Sequence, residues 1–394
     1  MQTKPKLLRT ATVATSLDIL LKGQLRFLHN YFEVKAISGQ DNHLTNVKNR
    51  EGVEVINIPM TRQISLWNDL VSLNRLYVTI KKEKPQIVHS ITPKAGLLSM
   101  TAAWLARVPI RMHTFTGLVF PTQTGVMQKL LIKMDQLLCR MATHIYPEGQ
   151  GVKNDLLAYN ITKKPLKILA NGNVSGIDTT FFDPTKTPNS HVEAIQKEWN
   201  IQENDFVFIY VGRLVGDKGI NELIAAFTNL QPQASQSQTE PNPTNKLKLL
   251  LVGNYEHQLD PLHQSTLDAI YENPNIIAVG YQEDIRPFLA VSDVFVFPSY
   301  REGFPNVVLQ AGAMGLPCIV TDINGSNEII VEGINGTIIP PKNANALENA
   351  MQKLKDNFTF SQSLAQNARE RITSRYEQQV VWDALLAEYQ MLID

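Results

Sequence analysis

Cysteine is nearly absent: Cys139 and Cys318 are the only two in 394 residues, each inside an apolar run. That excludes a disulfide framework and a cysteine-ligated metal cluster, and it fits a reducing cytoplasm. Long apolar stretches are missing as well. None reaches the roughly 18 residues that a membrane span requires, and the apolar stretch after the basic residues 1–10 is broken by Thr12, Thr15, Ser16 and Asp18, so no signal peptide is expected. No Asp-x-Asp pair occurs, and no His, Asp and Glu group has metal-ligand spacing. The first strand is not followed by the Gly-x-Gly-x-x-Gly of a dinucleotide site, which argues against a nicotinamide dehydrogenase.

Net charge is also zero, but the balance is uneven along the chain. Residues 1–180 hold 23 Lys+Arg against 11 Asp+Glu, and residues 181–394 hold 14 against 26. A half at +12 and a half at −12 favour an anionic partner for the first and attraction between the two. The cations are scattered, without a basic arm or interleaved aromatics, so nucleic acid is not the expected partner.

What is present is a core-forming composition, 43% hydrophobic and 19% charged, and a length that predicts two domains. Short apolar runs alternate with amphipathic stretches, the pattern of βα units on parallel sheets. Strands are predicted at 7–14, 34–38, 53–58, 86–89, 110–114, 143–146 and 167–169, then at 206–211, 247–252, 276–279, 294–297, 318–321 and 336–339. Two such sets give the α/β class with two doubly wound, Rossmann-like domains facing across a cleft; ligands of such sheets bind beyond the carboxyl ends of the strands. The boundary falls between residues 173 and 204, taken as 1–180 and 181–375, with a helix at 376–392 packing back on the first domain. Residues 231–245, rich in Gln, Ser, Thr and Pro, read as a surface insertion.

Two segments carry chemistry. Tyr210-Val-Gly-Arg-Leu-Val-Gly-Asp-Lys-Gly219 follows an apolar strand and opens a helix; Gly212 frees the strand end, and Arg213 and Lys218 place two cations around one turn. That set suits a diphosphate, although a solvated turn is the plainer account of either cation alone. The second segment, Phe297 to Pro317, runs from strand through loop into helix. Pro305 suits the first helical turn, which turns the amides of Asn306 and Val307 outward as an anion site, with Glu302 ahead of the helix and Gln310 two turns on.

Taken together, Gly-Arg-Leu…Lys-Gly and Glu-Gly-Phe-Pro-Asn-Val-Val-Leu-Gln make the chain resemble the retaining glycosyltransferases of family 4, with the GT-B fold and bacterial surface-polysaccharide members nearest in character. The resemblance implies transfer of a hexose or N-acetylhexosamine from a nucleotide diphosphate sugar, most simply UDP-linked, to a lipid-linked or saccharide acceptor in capsule, O-antigen or exopolysaccharide synthesis. It implies no metal and no cofactor. By resemblance Arg213 and Lys218 hold the donor diphosphate, Glu302 lies by the transferred sugar, and Gly212, Gly253, Tyr281, Gly303, Phe304, Asn306 and Val307 line the donor site. Gln310 stands where the family has a second Glu that accepts from ribose hydroxyls; an amide oxygen still accepts, without charge. His113 matches the family's active-site His. Gly23 and Lys22 fall on the family's first loop, toward diphosphate and acceptor, although a solvated helix start explains them equally. The Gly125–Met141 stretch is amphipathic, with Lys129, Lys133, Gln136 and Arg140 on one side, and reads either as core packing or as docking on an anionic bilayer at the inner face of the cell membrane, where a polyprenyl-diphosphate acceptor would wait. A nucleotide-sugar epimerase and a non-catalytic sugar-binding module are the rival readings.

Overall fold

The computed structural model of the chain describes residues 4–61, 63, 65–231, 246–256, 258 and 260–394; most of the expected 231–245 insertion lies outside them. The chain forms two compact units, one of residues 1–176 with 378–394 and one of residues 177–377.

In the first unit the strands are β1 (Lys6–Thr10), β2 (Glu33–Ser38), β3 (Glu54–Asn57), β4 (Ile87–Ser90), β5 (Ile110–Phe115) and β6 (His144–Pro147). The helices are α1 (Ala14–Leu20), α2 (Gln24–His29), α3 (Asn42–Glu51), α4 (Leu66–Glu83), α5 (Pro93–Leu105), α6 (Gly125–Met141) and α7 (Gln150–Ala158). All strands are parallel, in the order β3-β2-β1-β4-β5-β6. Because helices cover both faces, the central strands β1 and β4 are buried on both sides instead of alternating, with Arg9, Thr10, His89 and Ser90 buried among their apolar residues.

The second unit runs α8 (Asn189–Glu198), β7 (Phe206–Val211), α9 (Ile220–Leu230), β8 (Leu247–Val252), α10 (Gln264–Glu272), β9 (Ile276–Gly280), α11 (Arg286–Ala290), β10 (Val294–Phe297), α12 (Asn306–Ala313), β11 (Cys318–Thr321), α13 (Ser326–Ile329), β12 (Gly336–Ile339), α14 (Ala344–Asp356) and α15 (Phe358–Tyr376). Its sheet order, β12-β11-β10-β7-β8-β9, is the first order read from the other edge. Both sheets therefore reverse direction between their first and fourth strands, and there the loops part to leave a crevice.

Several expectations need correction. The strand expected at 167–169 is absent: Leu166 makes only an isolated bridge to Ile145, and the segment continues as loop. The first strand ends at Thr10, four residues short of the apolar run's end, because Ala14 already opens α1. The division falls at Gly176/Ile177, inside the expected 173–204 interval and four residues ahead of 180. The helix expected at 376–392 is α16 (Gln378–Ile393), since Glu377, with ψ 138°, interrupts the helical path after Tyr376.

Helix α16 returns the chain to the first unit and is held there by buried polar bonds. Tyr389 accepts a hydrogen bond of 2.7 Å from buried Arg9, and its hydroxyl lies 2.6 Å from His89 Nδ1. Tyr146 donates to Glu388 at 2.8 Å. Burial, then the charge of Arg9, holds the His89 imidazole well below its usual range, so it is neutral in the core.

Candidate active site

The donor-side residues gather at the second sheet's reversal. Strand β7 ends at Val211, and its end is pressed against that of β8 by glycines: a Cβ on Gly253, φ +147°, would sit 1.9 Å from the Gly212 carbonyl. Beyond β7 a short 3₁₀ turn, Gly216–Lys218, is stopped by Gly219 in the left-handed region, φ +72°. A Cβ there would fall 2.1 Å from the Pro298 carbonyl oxygen, so only glycine lets the β7 loop lie on the β10 loop.

That contact brings Lys218 to Glu302, whose side chains form an ion pair and are both mostly buried. Ser299 donates to the same Glu302 oxygen at 2.9 Å. The Tyr300 amide donates to the Asp217 carbonyl at 2.9 Å, and Arg301 pairs with the Asp217 carboxylate at 3.1 Å. The two motifs read separately in the sequence are thus one structure. Tyr210, beneath them, donates to the Arg213 carbonyl at 3.0 Å. Its hydroxyl is pushed well above its usual range by burial, and the Glu302 charge adds to that while Arg213 opposes it.

Arg213 is half exposed and pairs with Glu256 at 2.8 Å. Both expected phosphate-binding cations therefore rest on carboxylates. Asp260 holds the turn from the other side: its carbonyl accepts from the Gly216 amide at 3.0 Å and its carboxylate from the Asp217 amide. Asn254, next to Gly253, accepts the Tyr281 amide at 3.1 Å on its side chain and the Leu214 amide at 2.9 Å on its carbonyl. Sequence reading passed over Asn254, Glu256, Asp260 and Ser299; for Asn254 the signal was its place directly after a strand-ending glycine. Tyr281 projects its ring into solvent, 71% exposed, in a form able to stack on a base.

Around the second motif, Pro305 is the residue that caps α12, with ψ 107°, and not its first helical residue; Asn306 and Val307 follow as the first two and are half-buried. Gly303 lies against Gly325, where a Cβ would approach the Gly303 carbonyl to 2.4 Å. The Phe304 ring is buried against Tyr376, their centroids 5.5 Å apart, so only its backbone is open to a donor role. Gln310 is half-buried in the second turn of α12, and its side chain makes no hydrogen bond among the described residues.

The first-unit candidates fare differently. His113 is 1% exposed: Nδ1 shares a 2.8 Å bond with the Ser90 hydroxyl, and the ring packs edge-on to Phe115, with centroids 4.5 Å apart, and against Gly96. Burial pulls its pKa down to about 3, with Ser90 opposing weakly, so its ring is neutral. Its Nε2 is buried with no partner among the described residues. Gly23 is not in the first loop. Helix α1 intervenes, and Gly23 caps α2 beneath Trp382, whose Cη2 would meet a Cβ at 2.7 Å; Lys22 beside it is exposed. Core packing explains the middle and end of α6, where Leu138 and Cys139 are buried and Leu131, Ile132 and Met141 pack against the same core; Val126 at its start is 84% exposed, and Met127 and Leu130 are exposed too.

Comparison with known proteins decides what this arrangement belongs to. Residues 191–371 match the model for glycosyl transferases group 1, and residues 32–172 match that for the glycosyl transferase 4-like domain. The capsular polysaccharide biosynthesis glycosyltransferase CapM of Staphylococcus aureus is 31% identical over 386 residues, 98% of this chain and 96% of CapM. The chain belongs to glycosyltransferase family 4. It is a GT-B glycosyltransferase, an enzyme. The UDP-Gal:alpha-D-GlcNAc-diphosphoundecaprenol alpha-1,3-galactosyltransferase of Escherichia coli is 30% identical over 346 residues, covering 88% of this glycosyltransferase and 85% of the other. Anabaena Alr3699/HepE in complex with UDP shares the fold, with TM-score 0.80 at 17% identity, covering 99% and 100% of the two chains. The epimerase reading gains no support, since these relatives are transferases. Among the described residues no helix is long and apolar enough to cross a membrane.

Proposed function

We propose that this glycosyltransferase moves a hexose or N-acetylhexosamine from UDP to a polyprenyl-diphosphate-linked sugar or other saccharide, with retention at the anomeric carbon and without a metal, in capsule, O-antigen or exopolysaccharide synthesis. The observation that carries the reading is the meeting of Lys218 and Glu302 at the β7/β10 crevice, with Arg213 at the same strand ends. The Escherichia coli relative's GlcNAc-diphosphoundecaprenol acceptor and the UDP held by HepE support the substrate classes.

In this mechanism the donor diphosphate replaces the carboxylates now resting on the cations. Lys218 acts as a compact charge and Arg213 as a two-pronged donor on the phosphate oxygens. Both aim positive charge at the leaving group as it departs, which stabilises the transition state more than the ground state. Glu302, released from Lys218 and still held by Ser299, accepts from a sugar hydroxyl. The departing phosphate takes the acceptor's proton as the new glycosidic bond forms on the face the phosphate leaves.

We place the enzyme in the cytoplasm at the inner membrane face, with the exposed apolar start of α6 and its neighbours Lys129 and Lys133 on an anionic bilayer. Two measurements test these readings. A thermal-shift panel of nucleotide sugars should single out UDP-sugars, and the best of them, radiolabelled, should pass its sugar to a prenyl-diphosphate-linked acceptor in the presence of EDTA. Loss of turnover in EDTA would remove metal independence, and equal binding to phosphatidylglycerol and phosphatidylcholine vesicles would remove the anionic-bilayer docking.

A further inference from the structure

The first unit holds a cavity of about 340 Å³ that the donor chemistry leaves unused. It lies at this sheet's own reversal, where the loops after β1 and β4 part, and α6 supplies its far wall. Its size falls in the range of small-ligand pockets, about 300–1,000 Å³. Val13, Leu97, Phe115, Leu131 and Met134 make it largely apolar.

Most of its polar groups are already satisfied. The Thr12 and Thr92 hydroxyls lie 2.8 Å apart, the Thr12 amide donates to the Thr92 hydroxyl at 2.8 Å, and the Ala95 amide donates to the Thr12 hydroxyl at 3.1 Å. The Lys94 ammonium is held by both Asp69 oxygens, at 2.8 and 3.0 Å, and by the Gln63 carbonyl. Asp135 differs. It lines the cavity from α6 and makes no hydrogen bond or ion pair to any described residue. Burial pushes its carboxyl up to about 7. Half-buried among apolar walls and without a partner among the described residues, this carboxyl is placed to accept from a donor on a molecule bound in the cavity.

We infer that this cavity is the subsite for an N-acyl group on the acceptor sugar, with Asp135 accepting from the amide N–H while Leu131 and Met134 enclose the acyl methyl. The inference rests on the lipid-linked sugar acceptor proposed above. The chemistry of the lining selects this occupant. An unsubstituted hexose would turn hydroxyls toward Leu97, Phe115 and Met134, leaving them unpaired, and a prenyl chain would match those walls but leave Asp135 without a donor. An acylamino group offers one N–H beside one methyl, and it meets both demands.

The test uses the full chain, its best UDP-sugar, and two acceptors on one short prenyl diphosphate that differ only in carrying an acetamido group or a hydroxyl at the same ring carbon. The native enzyme should favour the acetamido acceptor in kcat/KM by about 10- to 100-fold, the scale of a hydrogen bond to a charged group. Asp135→Leu should lower that ratio by about tenfold, with donor KM and the slow hydrolysis of donor without acceptor unchanged. Asp135→Asn, nearly isosteric and safe for folding, should retain an intermediate preference, because its oxygen accepts without charge. An unchanged ratio in both variants overturns the proposal. So does a variant effect that tracks prenyl length, which would assign the cavity to the lipid. If no nucleotide sugar is turned over at all, the transfer reading itself fails; turnover with an unaltered ratio sinks only the role of this cavity.

Discussion

The two units repeat one sheet order but build opposite chemistry at the crevice it leaves. In the second, the loops after β7 and β10 carry Arg213, Lys218 and Glu302, and each cation rests on a carboxylate, Lys218 on Glu302 in a mostly buried pair and Arg213 on Glu256 in an exposed one. In the first, the loops after β1 and β4 carry Thr12 and Thr92, which bond each other over an apolar cavity. Topology thus fixes where a ligand binds, and the loop residues decide which ligand that is. A diphosphate needs paired cations that can be released to it. An acceptor sugar with an apolar substituent needs a dry wall and a single polar group.

The sharpest way to break this contrast is to remove a cation from the second crevice. Lys218→Ala and Arg213→Ala should each cut kcat by about 100-fold or more, the scale for losing one donor to developing charge. Single-turnover assays with labelled UDP-sugar would read it, with donor KM changed far less. Unchanged turnover in both would show that the crevice does not hold the departing phosphate, and the division of labour would fall with it.

How much of this was legible in the sequence follows the same division. Five of the six strand spans read in the second half agree with the structure to the residue, and β9 differs by one, because fully buried parallel strands are short apolar runs with Gly or Pro at their ends. The Lys218–Glu302 meeting was legible only as two motifs; that β7 and β10 are neighbours comes from the sheet order. The first half misled more. His113 reads as a residue at a strand end, and only the structure shows its ring set under α5, where Gly96 leaves room for it. Asp135 sits among apolar residues of an amphipathic helix, where one acid looks like ordinary surface; only the packing of α6 against the cavity sets it apart. Residues 167–169 run on from the single parallel bridge of Leu166 to Ile145, on the edge strand β6, without extending it into a ladder.

Acid should distinguish the same first-unit groups, with opposite signs. His113 has a folded pKa near 3, below its usual 6.5, so between these values the unfolded chain takes up a proton that the native unit refuses. Its contribution to stability is complete above about pH 6.5 and is lost as pH falls, by about 1.4 kcal/mol per pH unit. Asp135, raised to about 7 from 3.8, works the other way: the native unit holds the proton, and stability from this group grows as pH falls from 7 toward 4. Denaturant midpoints between pH 7 and 5 should therefore fall less steeply in His113→Gln than in the native enzyme, and more steeply in Asp135→Asn. Parallel slopes in all three proteins would mean that neither group is buried as described.

The smallest effect concerns Gln310, where this enzyme departs from its family. An amide oxygen accepts a ribose hydroxyl bond without charge, and a charge-assisted bond is roughly twice as strong, a gain of about 1 kcal/mol. Gln310 lies on the second turn of α12 with its side chain unbonded among the described residues, so a carboxylate there is free to take the ribose. Gln310→Glu should lower donor KM by about fivefold and leave kcat alone, because ribose is held equally in the ground and transition states. If donor KM rises instead, the new charge meets phosphate before ribose. Gln310 would then be a neutral residue that shields the diphosphate, and the second crevice would owe its selectivity to an absent charge as well as to the cations it displays.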